Sequence, residues 1–228
     1  MKKLQIILIV ILLTAFCFTS GFSQDKPLKF GPRLGTALTL TNADISGLDL
    51  QPRFVLNFGA FVEYWASRSF GFQGDLLYNK KGAKWNQSMS AGGYSASVDL
   101  IWSFDYLSIP IYGKAAFGNK TRLYLLFGPE FSFLLSAKQK VELSSNISSA
   151  MNISDESDVK DSMKSFELAF GFGLGIEIPV SQSLIMFIDS RSSVSLTGIF
   201  KEIPTGYATV SDESIRNIIG ALNIGLIF

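Results

Sequence analysis

The side chains best placed to do chemistry are nine charged residues at alternate positions of extended-looking runs. They are Arg33, Glu63, Asp75, Lys114, Glu130, Glu167, Glu177, Asp189 and Arg191. Carboxylates beside basic groups can trade protons, line a conducting or ligand-binding lumen, or neutralise one another in a closed interior. Other residues narrow the choice. The chain has no His, which excludes Ser-His-Asp and Cys-His nucleophiles and His-based zinc sites. Its one Cys, Cys17, lies in the N-terminal apolar run. Asp155, Glu156, Asp158 and Asp161 sit in a Ser-rich stretch without the spacing or turn glycine of an EF-hand, so a solvated loop is expected there. The Phe-Gly-Phe-Gly run of residues 170–173 is not followed by a helix that could cradle a phosphate. Only Ser-Lys or paired-carboxylate chemistry stays formally open. The expectation is a non-enzymatic chain with no catalytic, cofactor or metal site, whose nine charges form a structural polar network.

The elements that must position those charges begin after a targeting segment. Lys2 and Lys3 precede an apolar run, Leu4 to Phe18, broken only by Gln5 and Thr14. Small Gly21 and Ser23 then suit signal-peptidase cleavage after Ser23. The run is shorter than the roughly 18–20 residues that cross a bilayer as a helix. The expected division is therefore a cleaved signal peptide, 1–23, and one domain, 24–228. Cleavage would remove Cys17 and, with it, any disulfide or thiol chemistry. It also removes Lys2 and Lys3, so that 20 basic and 19 acidic residues become a net charge of −1. No clustered basic excess points to nucleic acid.

Beyond the leader, the apolar residues alternate. From Phe166 to Ile178 every second residue is large and apolar, and those between are Glu167, Ala169, Gly171, Gly173, Gly175 and Glu177. That is an error-free period of two, the signature of a strand with one face in an apolar medium. Similar stripes run through Phe54–Tyr64, Phe70–Tyr78 and Ile218–Phe228. Weaker ones cover Phe30–Thr41, Tyr106–Phe117, Leu123–Leu135 and Leu184–Arg191, where Ile185 and Phe187 intrude on the polar face. The nine charges all fall on the face opposite the stripe. Pro32, Pro110 and Pro129 sit inside these runs, and each removes a ladder donor.

Short joins, Ala66–Ser69, Gly118–Thr121 and Pro179–Ser183, alternate with long ones, Asn42–Arg53, Lys80–Asp105, Lys138–Ser165 and Gly198–Ser214. Short periplasmic turns and longer external loops are the pattern of membrane barrels. In lipid every backbone polar group must be paired within the protein, so strands can cross only as a closed barrel. The expected fold is thus all-β: a closed antiparallel transmembrane β-barrel of about eight strands in the outer membrane. Tyr64, Trp65, Tyr78 and Trp102 suit an interfacial aromatic girdle.

Several stretches resemble the outer-membrane β-barrel family common in Bacteroidetes, the "porin family" or PorT-like proteins. They are Phe30-Gly31-Pro32-Arg33-Leu34-Gly35, Tyr106-Leu107-Ser108-Ile109-Pro110, Leu126-Phe127-Gly128-Pro129 and the Phe170–Gly175 run. The aromatic Phe228 resembles the C-terminal signal read by the outer-membrane insertion machinery. The resemblance implies an eight-stranded barrel exported to the outer membrane, with membrane lipid and the insertion machinery as partners; it fixes no activity and no loop partner. A structural, assembly or loop-mediated interaction role, including a secretion-accessory one, leads. A narrow small-solute porin and a soluble or periplasmic ligand-binding barrel are the alternatives.

Overall fold

The computed structural model describes residues 28–43, 50–91, 94–145, 153–199 and 215–228. The expected signal peptide lies outside these residues, as does most of the join Gly198–Ser214. The strands are β1 (Leu28–Ala43), β2 (Leu50–Gln51), β3 (Arg53–Trp65), β4 (Phe70–Lys81), β5 (Lys84–Ala91) and β6 (Tyr94–Phe117). They continue with β7 (Arg122–Ser145), β8 (Ile153–Asp158), β9 (Phe166–Pro179), β10 (Ile185–Ser195) and β11 (Ile215–Ile227). Eight of them close a ring in the order β1-β3-β4-β6-β7-β9-β10-β11, with β6 paired to β7 and β11 back to β1. Every pairing is antiparallel; at the closing seam Arg33 lies opposite Gly225 and Leu38 opposite Gly220.

Alternation dictates which way each side chain faces. On β9, Phe170, Phe172 and Leu174 point out and are about half exposed, while Glu167 and Glu177 point in and are 2% and 1% exposed. The outward surface of the ring is Phe, Leu and Ile, which only a hydrocarbon medium would tolerate over so large an area. Short turns at 66–69, 118–121 and 180–184 lie at the end that also holds Leu28 and Phe228. Phe187, which breaks the polar face of β10, fits inside because Gly225 lies across from it: a Cβ there would stand 2.4 Å from the ring. It meets Phe61 edge-on at 5.3 Å.

Two expected loops are strands instead. The segment Lys80–Asp105 contains β5 and the first half of β6, and Lys138–Ser165 contains the end of β7, β8 and a short 3-10 turn, Lys160–Ser162. β4 and β5 share β6 as neighbour in one continuous register, Lys81 opposite Phe104 and Lys84 opposite Ile101. Gly82 joins them with φ +137°, where a Cβ would come within 2.1 Å of the Trp102 carbonyl oxygen. One side of the barrel therefore rises past the rim as a sheet ordered β2-β5-β6-β7-β8. These strands escaped the sequence reading because their chemistry changes phase. Outward Leu107, Ile109 and Ile111 give way above the rim to outward Ser103, Asp99 and Ser97, with Ile101 alone between them, so the apolar stripe breaks off although the strand does not.

The girdle expectation also needs correction. Tyr64 and Tyr78 do face outward, Tyr78 against Phe58 at 5.3 Å. Trp65 instead turns inward, donating from Nε1 to Glu63 Oε2 at 3.0 Å, and Trp102 packs against the apolar cluster at the opposite mouth. Both share the inward parity of their strands, and each finds a buried partner there.

Candidate functional site

Eight strands enclose little more than their own side chains, and the nine predicted charges occupy that interior. All nine are buried, at 7% exposure or less. They meet in three groups along the lumen.

At the short-turn end, Lys114 sits between two carboxylates, bonded to Glu63 and 2.6 Å from Glu177 Oε1. Arg122 adds a second cation 3.6 Å from Glu177 Oε2. The Lys114 ammonium lies 4.1 Å from the centre of the Tyr124 ring, and Arg122 lies 4.2 Å from that of Trp65. Cations over aromatic faces gain when water is excluded. Here Phe61, Tyr112, Ala116, Tyr124, Leu126, Phe187 and Ile227 form the apolar cluster that excludes it.

Midway lies a quartet. Arg33 and Arg191 both reach Asp75 Oδ2 at 2.6 Å. Arg191 also grips Asp189 Oδ2 through Nε at 2.9 Å and Nη2 at 2.7 Å. Gln73 donates to Asp75 at 2.7 Å, and Tyr124 and Asn223 donate to Asp189 at 2.9 and 2.7 Å. Buried ions survive only when paired and fully hydrogen-bonded, and every carboxylate oxygen of the quartet has a donor.

Towards the long-loop end, Lys81 bonds Glu167 Oε1 at 2.8 Å and stands 3.7 Å from Glu130 Oε1. Ser132 links Glu130 to Ser108, and Asn217 donates to Glu167 Oε2 at 2.8 Å. Above this group the mouth is covered. Met163 and Ile199, almost wholly buried, pack with Phe104, Tyr106, Leu134 and Ala137. Lys164 N–H donates to the Ile199 carbonyl at 2.9 Å, tying the two covering segments together.

The glycines of β9 are seats in this packing. A Cβ at Gly171 would meet the Tyr112 hydroxyl at 2.5 Å, one at Gly173 the Arg191 Cγ at 2.9 Å, and one at Gly175 the Tyr124 ring at 2.4 Å. The Phe-Gly-Phe-Gly run thus does two jobs at once, large residues to the membrane and empty places to the lumen.

Alternation already sets Asn57, Gln73 and Asn217 on the inward face, with Phe187 intruding there, without marking them as part of the network; it does not reach Lys81. Lys81 continues the inward parity of Gln73, Asp75 and Asn79, two residues beyond the last of them, past the end of the apolar stripe. The acidic stretch Asp155–Asp161 is no open loop: Glu156 pairs Lys138 at 2.6 Å across β7 and β8, and Asp158 accepts from the Lys160 N–H at 2.8 Å.

Above the rim the faces exchange character. On the inner side, continuous with the cover, stand Trp85, Met89, Val98, Leu100, Trp102, Val141 and Leu143, in neighbouring register. The outer side carries Lys84–Asp99 at 3.0 Å, Lys138–Glu156 and Lys140–Glu142. The inner residues are half-buried to exposed, Met89 at 73%. Among the described residues no group of three or more His, Cys, Asp or Glu could hold a metal.

A family model described as "Outer membrane protein beta-barrel domain" matches residues 22–201. The chain belongs to that family. An outer membrane protein of this family sits in the outer membrane, with its ring as the spanning part. Solved structures similar to this outer-membrane barrel include Ail, the attachment invasion locus protein of Yersinia pestis, at 13% identity over 89% of this chain and 100% of that one, TM-score 0.41. OprG of Pseudomonas aeruginosa is 11% identical over 90% and 98%, TM-score 0.45. Neisserial surface protein A is 10% identical over 87% and 95%, TM-score 0.42. Among curated proteins, none matches the chain in sequence.

Proposed function

We propose that this outer-membrane barrel is a closed, non-enzymatic protein that works through the sheet standing over its outer mouth. The role is structural, of assembly, or of interaction with a partner outside the cell, and the secretion-accessory role of PorT-like proteins falls within it. The observation that carries this reading is the filled lumen: among the described residues, three ion-paired groups and an apolar cover stack along the interior of the ring. On this reading Arg33, Glu63, Asp75, Lys114, Glu130, Glu167, Glu177, Asp189 and Arg191 are a plug, not a conduit. The working surface is the inner face around Met89 and Leu143, an exposed apolar patch of the kind that marks interaction sites. Residues 1–23 act as the export signal, and Phe228 as the terminal residue engaged by the insertion machinery.

Planar-bilayer recording on the purified full-length barrel tests it. Silence is expected, together with loss of surface cross-links to neighbouring proteins in Met89→Glu/Leu143→Glu, a variant that leaves the heat-shifted gel band intact. Steady single-channel conductance in the wild-type protein would replace the plug with a narrow small-solute pore.

A further inference from the structure

The end of the ring that carries the short turns faces the periplasm, and its charge is one-sided. Arg68 stands in the turn 66–69 and Lys120 in the turn 118–121, both exposed. Arg122 opens β7 two residues after Lys120, and its Nη2 donates to the Arg68 carbonyl, which draws the two turns together. Lys29, at an inward position of β1, lies 5.8 Å from the centre of the Trp65 ring, which Arg122 approaches at 4.2 Å and Lys114 at 5.5 Å. The carboxylates of this end are Glu63 and Glu177, each 1% exposed and each bound to Lys114. The third turn, 180–184, is uncharged. Among the described residues no carboxylate side chain is exposed here. Lys29, Arg68, Lys114, Lys120 and Arg122 thus face two buried anions, five against two. The far end is different, since Lys84 meets Asp99, Lys138 meets Glu156 and Lys140 meets Glu142.

The fold does not need this excess. Lys114 alone answers both carboxylates, and Arg122 Nη1 stands 3.6 Å from Glu177 Oε2, too far for a hydrogen bond, so its donors are not spent. Gathered cations repel one another until an anion joins them. Their direction says where that anion lies. Lys29 and Arg122 sit over the mouth and Arg68 and Lys120 on the turns, so the charge faces along the barrel axis rather than sideways towards lipid headgroups. The turn tips add Ser67, Ser69, Asn119, Thr121, Ser181 and Gln182, hydroxyls and amides. Exposed Leu28, Phe117 and Val180 continue the lipid-facing stripes, which leaves the axial surface without the apolar anchors that a protein interface centres on. We propose that this end is a docking surface for a carboxylate-bearing glycan, the chemistry of the cell wall beneath the outer membrane. The guanidinium forks of Arg68 and Arg122, with Lys120, pair with its carboxylates, and the turn side chains bond its hydroxyls and amides. The surface lies across the membrane from the sheet, and it serves whether or not the lumen conducts.

Co-sedimentation of the full-length barrel, in mild detergent, with isolated cell-wall sacculi tests the surface. The wild-type protein is expected to pellet with the sacculi at low salt and to be released as salt rises. It should stay in solution when the sacculus carboxylates have been converted to amides. Arg68→Glu/Lys120→Glu reverses two exposed charges, keeps the heat-shifted band and should lose most of the bound fraction. Lys138→Glu/Lys140→Glu, the same change of net charge at the far end, should keep it. A wild-type barrel that ignores sacculi, equal binding to amidated sacculi, or equal loss in the two variants would each overturn the proposal. Retention on phosphatidylglycerol vesicles or on polyglutamate, with none on sacculi, would assign the cations to lipid headgroups or to an acidic protein instead. The comparison of native with amidated sacculi decides even if a variant does not fold.

Discussion

The ring and the sheet above it are built from the same strands, yet they obey opposite rules. Along β6 the inward positions are Lys114, Tyr112 and Ser108 within the membrane, and Trp102, Leu100 and Val98 above it. Outward positions run the other way, from Ile111 and Ile109 to Asp99 and Ser97. The backbone is indifferent, since its ladder to β7 continues through both regions with one irregularity at Asp105/Tyr106. What changes is the medium on the outside of the wall. Hydrocarbon demands an apolar exterior and leaves the interior to the charges; water reverses the demand. The two regions therefore place polar groups by solvent, not by strand.

If this is right, the same kind of substitution should have unequal costs in the two regions. The largest gap is expected for ion pairs. Arg191→Met leaves Arg33 as the one cation of the quartet against Asp75 and Asp189, and breaking a buried pair costs about 3–5 kcal/mol. Lys140→Met removes the partner of Glu142, in a pair whose side chains are 40% and 36% exposed, where solvent screening leaves little to lose. The temperature at which the compact gel band converts to the unfolded one should fall sharply in the first variant and hardly in the second. Similar shifts would break the comparison.

Charge on the outer surface should come next. Phe172→Arg places a cation on the lipid face near the middle of β9, at about 2–4 kcal/mol. Ser144→Arg places one on the outer face of the sheet, where surface changes are usually within about 0.5 kcal/mol. Urea titration of both variants in lipid vesicles reads the difference, and equal midpoints would put Phe172 outside the hydrocarbon.

Packing inside the ring sharpens the same contrast. Gly175→Ala drives a methyl into the Tyr124 ring, and such overpacking costs about 1–3 kcal/mol. It should also displace the Tyr124 hydroxyl from Asp189, visible as altered near-ultraviolet circular dichroism. A native spectrum with unchanged stability would mean that the lumen is looser than its distances imply.

The smallest effect belongs to pH and to the sheet alone. The Asp99 carboxyl is held below the usual aspartate range by the Asn86 amide and then by Lys84. A depressed pKa in the folded state contributes stability that is present above the unfolded value, about 3.9, and disappears as pH falls through the folded one. Hydrogen exchange of the β5 amides should therefore speed up below about pH 4 while the β9 amides stay protected. Uniform acceleration across both regions would show that sheet and ring open together.

The part of the molecule in hydrocarbon was the part legible in the sequence. A medium that tolerates no outward polar group writes a strict alternation, and Phe166–Ile178 could be read residue by residue. Glu63, Asp75 and Glu167 followed as inward groups by parity alone. Their pairings could not be read, because Lys81 and Glu167 meet from strands 86 positions apart, and strand pattern carries no information about which inward charges share a level. The sheet above the rim stayed hidden for the reason that makes it different: with water outside, β5 and the upper half of β6 carry Ser, Asn and Asp outward and look like loop. Trp65 and Trp102 were misplaced because aromatic type suggested an interface while parity, the stronger signal, pointed inward.

The seam between β1 and β11 has a consequence for how the barrel comes into being. Arg33 meets Gly225, and Ala43 meets Ile215, so the contact that completes the ring joins residues almost the full length of the domain apart. Contacts of such high sequence separation repay the entropy of chain closure only at the end of folding. Until then both β1 and β11 are raw edges in a medium where an unpaired amide has no other partner. A half-built ring is thus no partial success: assembly is all-or-none in character, and a lesion at either seam strand should be felt by all the others.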